Sequence, residues 1–264
     1  MIIAGIDLGS TAIKLALVAD GQLLWHKAAP TAPGQEKIAD NLLTEGLAAV
    51  GRSGETVVRA VTGYGKHLLV GADRVIDELT ANRLGVCKAS DGRARSLINI
   101  GGQDVKVIRL SAKGQMTGFK MNDKCAAGCG RFFEVAARIL DTEVGSFATL
   151  AANAAEAARI NSTCAVFAES EIVSLMAQGV VKENIIAGLH QSVARRIAGL
   201  CAGGALEDDI YLDGGAAQNP GLVHALEDEL CRDLHVLPLP QFTVAYGAAI
   251  SAAMADSAAA KNSS

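Results

Sequence analysis

Short apolar runs alternate along this chain with longer stretches of helical periodicity. The apolar runs predict six strands, at Ile2–Ile6, Lys14–Val18, Val57–Thr62, Ser96–Ile100, Val105–Leu110 and Ile210–Leu212. Apolar residues at helical spacing predict six helices, near Gly34–Val50, Gly130–Leu140, Ala165–Gln178, Lys182–Cys201, Gly221–Leu230 and Ala245–Met254. Strands that alternate with helices are typical of the α/β class.

One strand-turn-strand pattern occurs twice. Residues Ile6–Leu15 and Ile98–Val107 align in their apolar positions, in a glycine and in a lysine. In each copy a strand ends at a glycine turn and returns as a second strand. Main-chain N–H groups in such a turn can face a phosphate without a Cβ in the way. The repetition predicts two similar lobes with a cleft between them.

A third glycine turn, Gly214-Gly215, follows a predicted strand and precedes a predicted helix. A flat ring can approach the main chain closely at such a place, so the turn would suit an adenosine. Each turn alone is weak evidence, because glycine is common in ordinary tight turns. Three in this order favour nucleotide binding.

Composition and charge exclude several kinds of partner. The 264 residues are 50% apolar, enough for two domains with their own cores. A net charge of −4 and an aromatic content of 4% argue against a nucleic-acid partner. The N-terminus lacks the pattern of a signal peptide, and no apolar run reaches the roughly 18 residues of a membrane span. We therefore expect a cytoplasmic protein without membrane association.

Two of the six cysteines differ in setting from the others. Cys125 and Cys164 each precede an apolar, helix-forming run, where the positive end of the helix dipole favours a thiolate. Thiolates are the ligands of iron–sulfur clusters. A zinc site is disfavoured because the usual CxxC and HxxxH spacings are missing. Cys201 and Cys231 are predicted to be structural residues on apolar helical faces.

Several motifs together resemble those of known families. Three segments of this chain resemble the two phosphate motifs and the adenosine motif of the actin/Hsp70/sugar-kinase superfamily. They are Asp7-Leu8-Gly9-Ser10-Thr11, Ile100-Gly101-Gly102-Gln103-Asp104 and Gly214-Gly215-Ala216-Ala217-Gln218-Asn219. Three other segments resemble motifs of one group within this superfamily, the activators of 2-hydroxyacyl-CoA dehydratases and the related ATPase subunits of benzoyl-CoA reductases. These segments are Thr62-Gly63-Tyr64-Gly65, Cys125-Ala126-Ala127-Gly128 and Cys164-Ala165-Val166-Phe167-Ala168-Glu169-Ser170-Glu171. The resemblance covers about residues 2–254.

The resemblance implies an α/β fold of two actin-like (ribonuclease H-like) lobes with a nucleotide cleft between them. Residues 1–95 are expected to form the N-terminal lobe. Residues 96–254 are expected to form the C-terminal lobe, which carries the cluster cysteines, and residues 255–264 a flexible tail.

The resemblance also implies an ATP-dependent one-electron donor that activates a 2-hydroxyacyl-CoA dehydratase-type protein and is reduced by a ferredoxin or flavodoxin. One [4Fe-4S] cluster would be shared by a homodimer. A cubane usually needs four thiolates, and Cys125 and Cys164 from two chains supply four. Cys129 could in principle pair locally with Cys125, but we assign it as a spare thiol near the cluster.

The residues that this resemblance assigns to ATP or ADP are Gly9, Ser10, Thr11, Ala12, Lys14, Gly101, Gly102, Gln103, Gly214, Gly215, Gln218, Asn219 and Gln241. Asp7 and Asp104 are expected to organise Mg²⁺ through its waters. The family usually has an acidic residue where this chain has Asn99, and an amide cannot act as a general base. Asn99 would instead hydrogen-bond a metal-bound water, and we predict slow hydrolysis.

Two other functions fit the same fold. A small actin-fold kinase would phosphorylate a small-molecule hydroxyl, with Asp104 as its base, but would leave Cys125 and Cys164 without a purpose. An Hsp70-like or actin-like switch would bind a protein partner in response to nucleotide without transferring electrons. Binding of a partner by iron-free protein would distinguish the switch.

Overall fold

A computed structural model describes residues 1–122, 130–161, 165–202 and 206–262. Its strands are β1 (Ile2–Leu8), β2 (Ala12–Ala19), β3 (Gln22–Pro30), β4 (Val58–Thr62), β5 (Arg74–Val75), β6 (Ser96–Ile100), β7 (Val105–Leu110), β8 (Met116–Asn122), β9 (Ile210–Asp213) and β10 (His235–Val236). Its α-helices are α1 (Gln35–Ala49), α2 (Glu78–Ala89), α3 (Gly130–Ile139), α4 (Phe147–Ala152), α5 (Ala165–Ala177), α6 (Lys182–Ala202), α7 (Pro220–Leu230) and α8 (Thr243–Asn262).

The strands form two five-stranded sheets with the same plan. Their orders are β3-β2-β1-β4-β5 and β8-β7-β6-β9-β10. The central strand of each sheet, β1 or β6, pairs in antiparallel orientation with the strand that follows it in the chain, β2 or β7. On its other side it pairs in parallel with a later strand, β4 or β9. The repeat found in the sequence therefore extends to the whole sheet, and the predicted α/β class is confirmed.

The chain divides into two compact units, each built around one sheet. The first unit contains Met1–Ala94, Ala112–Gln115 and the residues from Leu237 onward, and the second contains Arg95–Ser111 and Met116–Val236. This division differs from the predicted boundaries at 95 and 254, because α8 belongs to the first unit. The structure also continues α8 to Asn262, where a flexible tail was predicted from residue 255. Alanines at 258–260 have high helix propensity.

The central strand of the first unit, β1, is buried on both faces, which explains the run without polar side chains from Ile2 to Ile6. Alternate residues of β1, including Ile2 and Ile6, pack with Leu42 and Leu43 of α1. Ile3 belongs to a second cluster, which contains residues of α2 and α8. The sheet therefore lies between helical layers, and the end of β1 has a fixed position.

The second unit has one large core. Ile98 and Ile100 of β6 pack in it with the aromatic rings of Phe132 and Phe133 from α3, and α6 and α7 add further apolar residues. Cys201, on α6, lies in this core, and burial raises the pKa of its thiol to about 11, as suits a structural cysteine.

The prediction that Cys231 lies on an apolar helical face is wrong. Cys231 is exposed and ends α7 in the left-handed conformation, with φ of 51°. Glycine is the usual residue at such a position, so the sequence did not signal where this helix ends. Within the described ranges, no helix combines the length and apolar character needed to cross a membrane.

Candidate functional site

The turn between β1 and β2 contains Gly9, Ser10 and Thr11, and β2 begins at Ala12; all four residues are partly accessible. Thr31 holds the turn from both sides: its hydroxyl donates to the Gly9 carbonyl (2.8 Å), and its N–H donates to the Thr11 carbonyl (3.0 Å). These bonds fix the main chain of the predicted phosphate turn.

Asp7 and Lys14 face each other at the root of this turn. They are register partners on β1 and β2, and Lys14 Nζ lies 3.0 Å from Asp7 Oδ2. Both are largely buried, with 9% and 17% of their side chains exposed, so solvent screens the pair less than a surface pair. The pair places a carboxylate and an ammonium beside the turn.

Thr62 and Gly63 complete this site from β4. Thr62 is the parallel register partner of Asp7, and among the described residues its buried Oγ1 has no hydrogen-bond partner. Gly63 has φ of 89°, and a Cβ there would lie 2.4 Å from Asp7 Oδ1. Gly65 N–H then donates to the Leu8 carbonyl (2.9 Å). The Thr62-Gly63-Tyr64-Gly65 motif therefore packs against the root of the first turn.

The turn between β6 and β7 is the corresponding turn of the second unit, but its lysine pairs with a carboxylate within the turn. Gly101 N–H donates to the Asp104 carbonyl (2.9 Å), and Lys106 Nζ lies 2.8 Å from Asp104 Oδ1. Gly102 and Gln103 form the accessible part of the turn. Asp104 is thus an ion-pair partner of the lysine that corresponds to Lys14.

Asn99 contacts an acidic residue that sequence reasoning missed. Asn99 Nδ2 donates to Asp213 Oδ1 at 2.7 Å, and both residues are buried. Asp213 ends β9 and is followed by Gly214, whose φ is 91°. A carboxylate directly before Gly-Gly at a strand end is a signal that could have identified it.

The residues of the predicted adenosine motif differ in setting. Gly215 and Gln218 are exposed in a short helical turn, Gly215–Gln218, whereas Asn219 is buried and caps α7. Asn219 Oδ1 accepts from the N–H groups of Gly221 and Leu222, and its Nδ2 lies 2.9 Å from His190 Nε2. Both ends of the Asn219 side chain are therefore engaged within the protein. Gln241, in the first unit, is partly buried in the turn before α8.

The predicted cluster ligands, Cys125 and Cys164, lie outside the described residues, as does Cys129. The segments that contain them lead directly into α3 and α5, and these two helices contact each other. Gly130 and Arg131, the first residues of α3, donate their N–H groups to the carbonyls of Gly101 and Gly102, both at 2.9 Å. The start of α3 is therefore joined to the second turn by main-chain hydrogen bonds.

Within the described ranges, no group of three or more His, Cys, Asp or Glu side chains could hold a metal ion by itself. The carboxylates beside the two turns are engaged with a lysine or an amide. Such a donor set suits Mg²⁺ that arrives with the phosphates of a nucleotide and keeps most of its waters.

Comparison with known proteins gives a consistent result. The family profile described as the BadF/BadG/BcrA/BcrD ATPase family matches residues 4–252. The activator of lactoyl-CoA dehydratase from Anaerotignum propionicum is 42% identical over 249 residues, which are 94% of this chain and 96% of that protein.

Two solved structures are similar over nearly their whole length. The activator of the 2-hydroxyisocaproyl-CoA dehydratase from Clostridium difficile, with bound ADPNP, has a TM-score of 0.93 and 35% identity, covering 99% of this chain and 98% of that one. Component A of the (R)-2-hydroxyglutaryl-CoA dehydratase from Acidaminococcus fermentans has a TM-score of 0.89 and 39% identity, covering 95% and 97%. The actin-like fold and the ATPase class expected from the motifs are confirmed, and the chain belongs to the BadF/BadG/BcrA/BcrD ATPase family.

Proposed function

We propose that this protein is an ATP-dependent one-electron donor that activates a 2-hydroxyacyl-CoA dehydratase-type partner. The observation that carries the proposal is the similarity, over nearly the whole chain, to activators of such dehydratases. The Cys125 and Cys164 motifs that resemble those activators give the chain the residues that electron transfer requires.

ATP or ADP would be bound through the two glycine turns and the adenosine motif. Ser10, Thr11 and Lys14 offer hydroxyl groups and an ammonium to phosphate oxygens at the first turn. Gly101, Gly102 and Gln103 offer main-chain N–H groups at the second turn. Asp7 and Asp104 lie beside these turns, where their carboxylates can organise Mg²⁺ through its waters.

The cysteine motifs would hold one [4Fe-4S] cluster between two copies of the chain. Each copy supplies Cys125 and Cys164, and two copies supply the usual four thiolates. The contact between α3 and α5, which follow these two cysteines, fits a site to which both segments contribute. When bound, the cluster would take one electron from a reduced ferredoxin or flavodoxin and pass one electron to the dehydratase.

The hydrogen bonds at the start of α3 suggest how nucleotide state reaches the cysteine segment. The carbonyls of Gly101 and Gly102 accept from Gly130 and Arg131, so a change in this turn alters the first residues of α3. ATP can shift the protein between conformations only if it binds them unequally. Contacts of the γ-phosphate with this turn would provide the difference.

The test is an iron and acid-labile sulfide assay on protein purified without oxygen, beside its Cys125→Ser and Cys164→Ser variants. We expect about four iron atoms per dimer, lost in both variants. Cys231→Ser is the matched control, because Cys231 is an exposed thiol at the end of α7. Cys129→Ser should also keep its iron. Iron-free wild-type protein after anaerobic reconstitution would contradict the proposal, and sedimentation of the same samples tests the homodimer.

A further inference from the structure

Each sheet carries a row of three register partners at the root of its turn. In the first unit, Lys14 pairs with Asp7 on the adjacent strand, and Asp7 pairs with Thr62 on the next. In the second unit, the corresponding row is Lys106, Asn99 and Asp213. Register partners project to the same face of a sheet, so each row brings three side chains together.

The two rows contain the same kinds of groups in a different order. Each has one lysine and one carboxylate. The carboxylate of the first row is Asp7, on the central strand β1, and that of the second is Asp213, on the flanking strand β9. The flanking position of the first row is Thr62, and the residue after it, Gly63, has a positive φ like Gly214. In the second row the acidic group is displaced by one strand.

The hydrogen bond between Asn99 and Asp213 fixes how this displaced charge is presented. Asn99 Nδ2 donates to Asp213 Oδ1 at 2.7 Å, which is the direction that a charged carboxylate requires. Its Oδ1 then points away from the carboxylate. Asp213 is 0% exposed and Asn99 is 5% exposed, close to the 6% of Asp7. Asn99 is therefore the more accessible member of the pair, and the buried charge strengthens its amide as an acceptor.

We propose that Asn99 and Asp213 together serve as the counterpart of Asp7 beside the second phosphate turn, with Asp213 supplying the charge and Asn99 presenting an oxygen to a water of Mg²⁺ in bound Mg·ATP. The inference rests on the proposed nucleotide function. Asp213 is a positioning residue in this arrangement, because it acts through Asn99. The amide at position 99 then does not remove the charge that Asp7 provides in the first unit, since in the second unit a carboxylate lies one strand away.

Exchanging the two residues tests this arrangement. Asn99→Asp combined with Asp213→Asn keeps one amide–carboxylate hydrogen bond and moves the charge to the central strand, where Asp7 stands in the first unit. Asp213→Asn alone leaves two amides and no charge. The usual strength of a hydrogen bond to a charged group implies that the ATPase rate of this single variant is about 10- to 100-fold lower than that of wild type. The double variant should recover to within about threefold of wild type.

Metal binding gives a readout that does not depend on activity. Mn²⁺ is titrated into the protein–ADP complex, and the free ion is followed by electron paramagnetic resonance. We expect Asp213→Asn to weaken Mn²⁺ binding about 10-fold and the double variant to restore it. Asn99→Asp alone places two carboxylates together that share a proton, so its Mn²⁺ affinity should rise with pH more steeply than that of wild type.

Controls separate this role from a purely structural one. Asp208→Asn makes the same chemical change on an exposed residue close to β9 and should leave both readouts unchanged. If Asp213→Asn does not fold, Asn99→Ser keeps the buried charge but removes the amide, and it should weaken Mn²⁺ binding similarly.

The proposal is overturned if a folded Asp213→Asn or Asn99→Ser variant binds Mn²⁺ as wild type does. It is also overturned if the folded double variant recovers neither readout. Both measurements use cluster-free protein without a dehydratase, so this outcome is distinct from a negative iron assay. Wild-type protein that binds neither ADP nor Mn²⁺ contradicts nucleotide binding itself.

Discussion

At the scale of single residues, the first turn depends on Gly63, whose contact with Asp7 only the structure reveals. Gly63 combines a positive φ with a close approach to Asp7, because a Cβ there would lie 2.4 Å from Asp7 Oδ1. Any side chain at this position therefore costs backbone strain and displaces the carboxylate.

We expect Gly63→Ala to lower the melting temperature and to weaken binding of a non-hydrolysable ATP analogue by about 10-fold or more. Gly71→Ala is the matched control, since Gly71 has φ of 82° and open space where its Cβ would lie. The control should show the strain alone, about 1–2 kcal/mol, with unchanged affinity. Equal analogue affinities in the two variants would show that the Asp7 contact is irrelevant to binding.

His190 is a second residue with a measurable consequence. Desolvation by burial lowers the pKa of His190 to about 4. Its Nε2 faces the Asn219 amide nitrogen, which can only donate, so the ring must be neutral and accept at that atom. The rings of Phe133 and Phe147 lie against it with centroids 5.5 and 6.2 Å away. Protonation would break the hydrogen bond and place a charge in the core.

The free energy of unfolding should therefore decrease as the pH is lowered. The unfolded chain binds the His190 proton near pH 6.5 and the folded chain only near pH 4, so stability is complete above pH 6.5 and is lost progressively down to pH 4. Urea denaturation should show a loss of about 2 kcal/mol between pH 7.5 and pH 5. His190→Gln should remove most of this dependence, whereas His224→Gln, at an exposed site on α7, should retain it. Equal pH slopes in wild type and His190→Gln would contradict the assignment.

At the scale of secondary-structure elements, α8 packs in the first unit through residues without side chains. A Cβ on Gly5 of β1 or on Gly85 of α2 would collide with main-chain carbonyls of α8. A Cβ on Gly247 of α8 would collide with the Ala81 carbonyl of α2. These glycines let the backbones approach more closely than side chains allow.

Gly247→Ala should destabilise the protein by about 2 kcal/mol, because overpacking at a backbone contact exceeds the gain in helix propensity. Gly199→Ala tests the propensity alone, since Gly199 lies in α6 with open space around its Cβ position. That control should stabilise the protein by about 0.5–1 kcal/mol. Chemical denaturation of both variants gives the comparison, and stabilisation by Gly247→Ala would contradict the described contact.

Three of the elements that the sequence failed to predict, α2, β3 and β8, lack a regular apolar pattern. Helix α2 has few apolar residues in a regular pattern, because its buried side consists of Ala81, Asn82, Gly85 and Val86. Strands β3 and β8 are partly exposed and carry polar residues among apolar ones, so they do not form apolar runs. The strands and helices that were predicted from apolar patterns were found within a few residues of their bounds, except at the C-terminal end of α8. Periodicity detects apolar burial and does not detect contacts made by small residues.

At the scale of the whole molecule, the first unit is built from both ends of the chain. Strand β1 lies next to α8, which begins more than 230 residues later. A chain that ends at Val236 lacks the helix that covers one face of β1, so we expect it to aggregate or to lack cooperative thermal unfolding. A chain that ends at Ser257 keeps Val244, Ala248, Ala249 and Ala252, through which α8 packs in the first unit, and should melt close to the full-length protein. Cooperative unfolding of the shorter chain near the wild-type temperature would refute this role of α8.

The candidate site was predictable where neighbouring residues form it. The turns at Gly9 and Gly101, the lysines that follow them and the resemblance of the motifs to an ATPase family could all be inferred from the sequence. Local contacts within a hairpin depend on turn length and strand register, which a short segment specifies by itself. The family assignment rests on such segments and is confirmed by the profile and by the solved structures.

The sequence alone determined the two glycine turns, the α/β class and the family, because each depends on residues that are close together in the chain. Only the tertiary structure decided that Asp213 lies beside Asn99 and that α8 belongs to the first unit. Asn99 and Asp213 are separated by 114 positions and meet because β6 and β9 pair in parallel. Parallel strand pairing and close helix packing join residues that are far apart in the chain. They depend on which buried surfaces fit together, and no local sequence pattern specifies them.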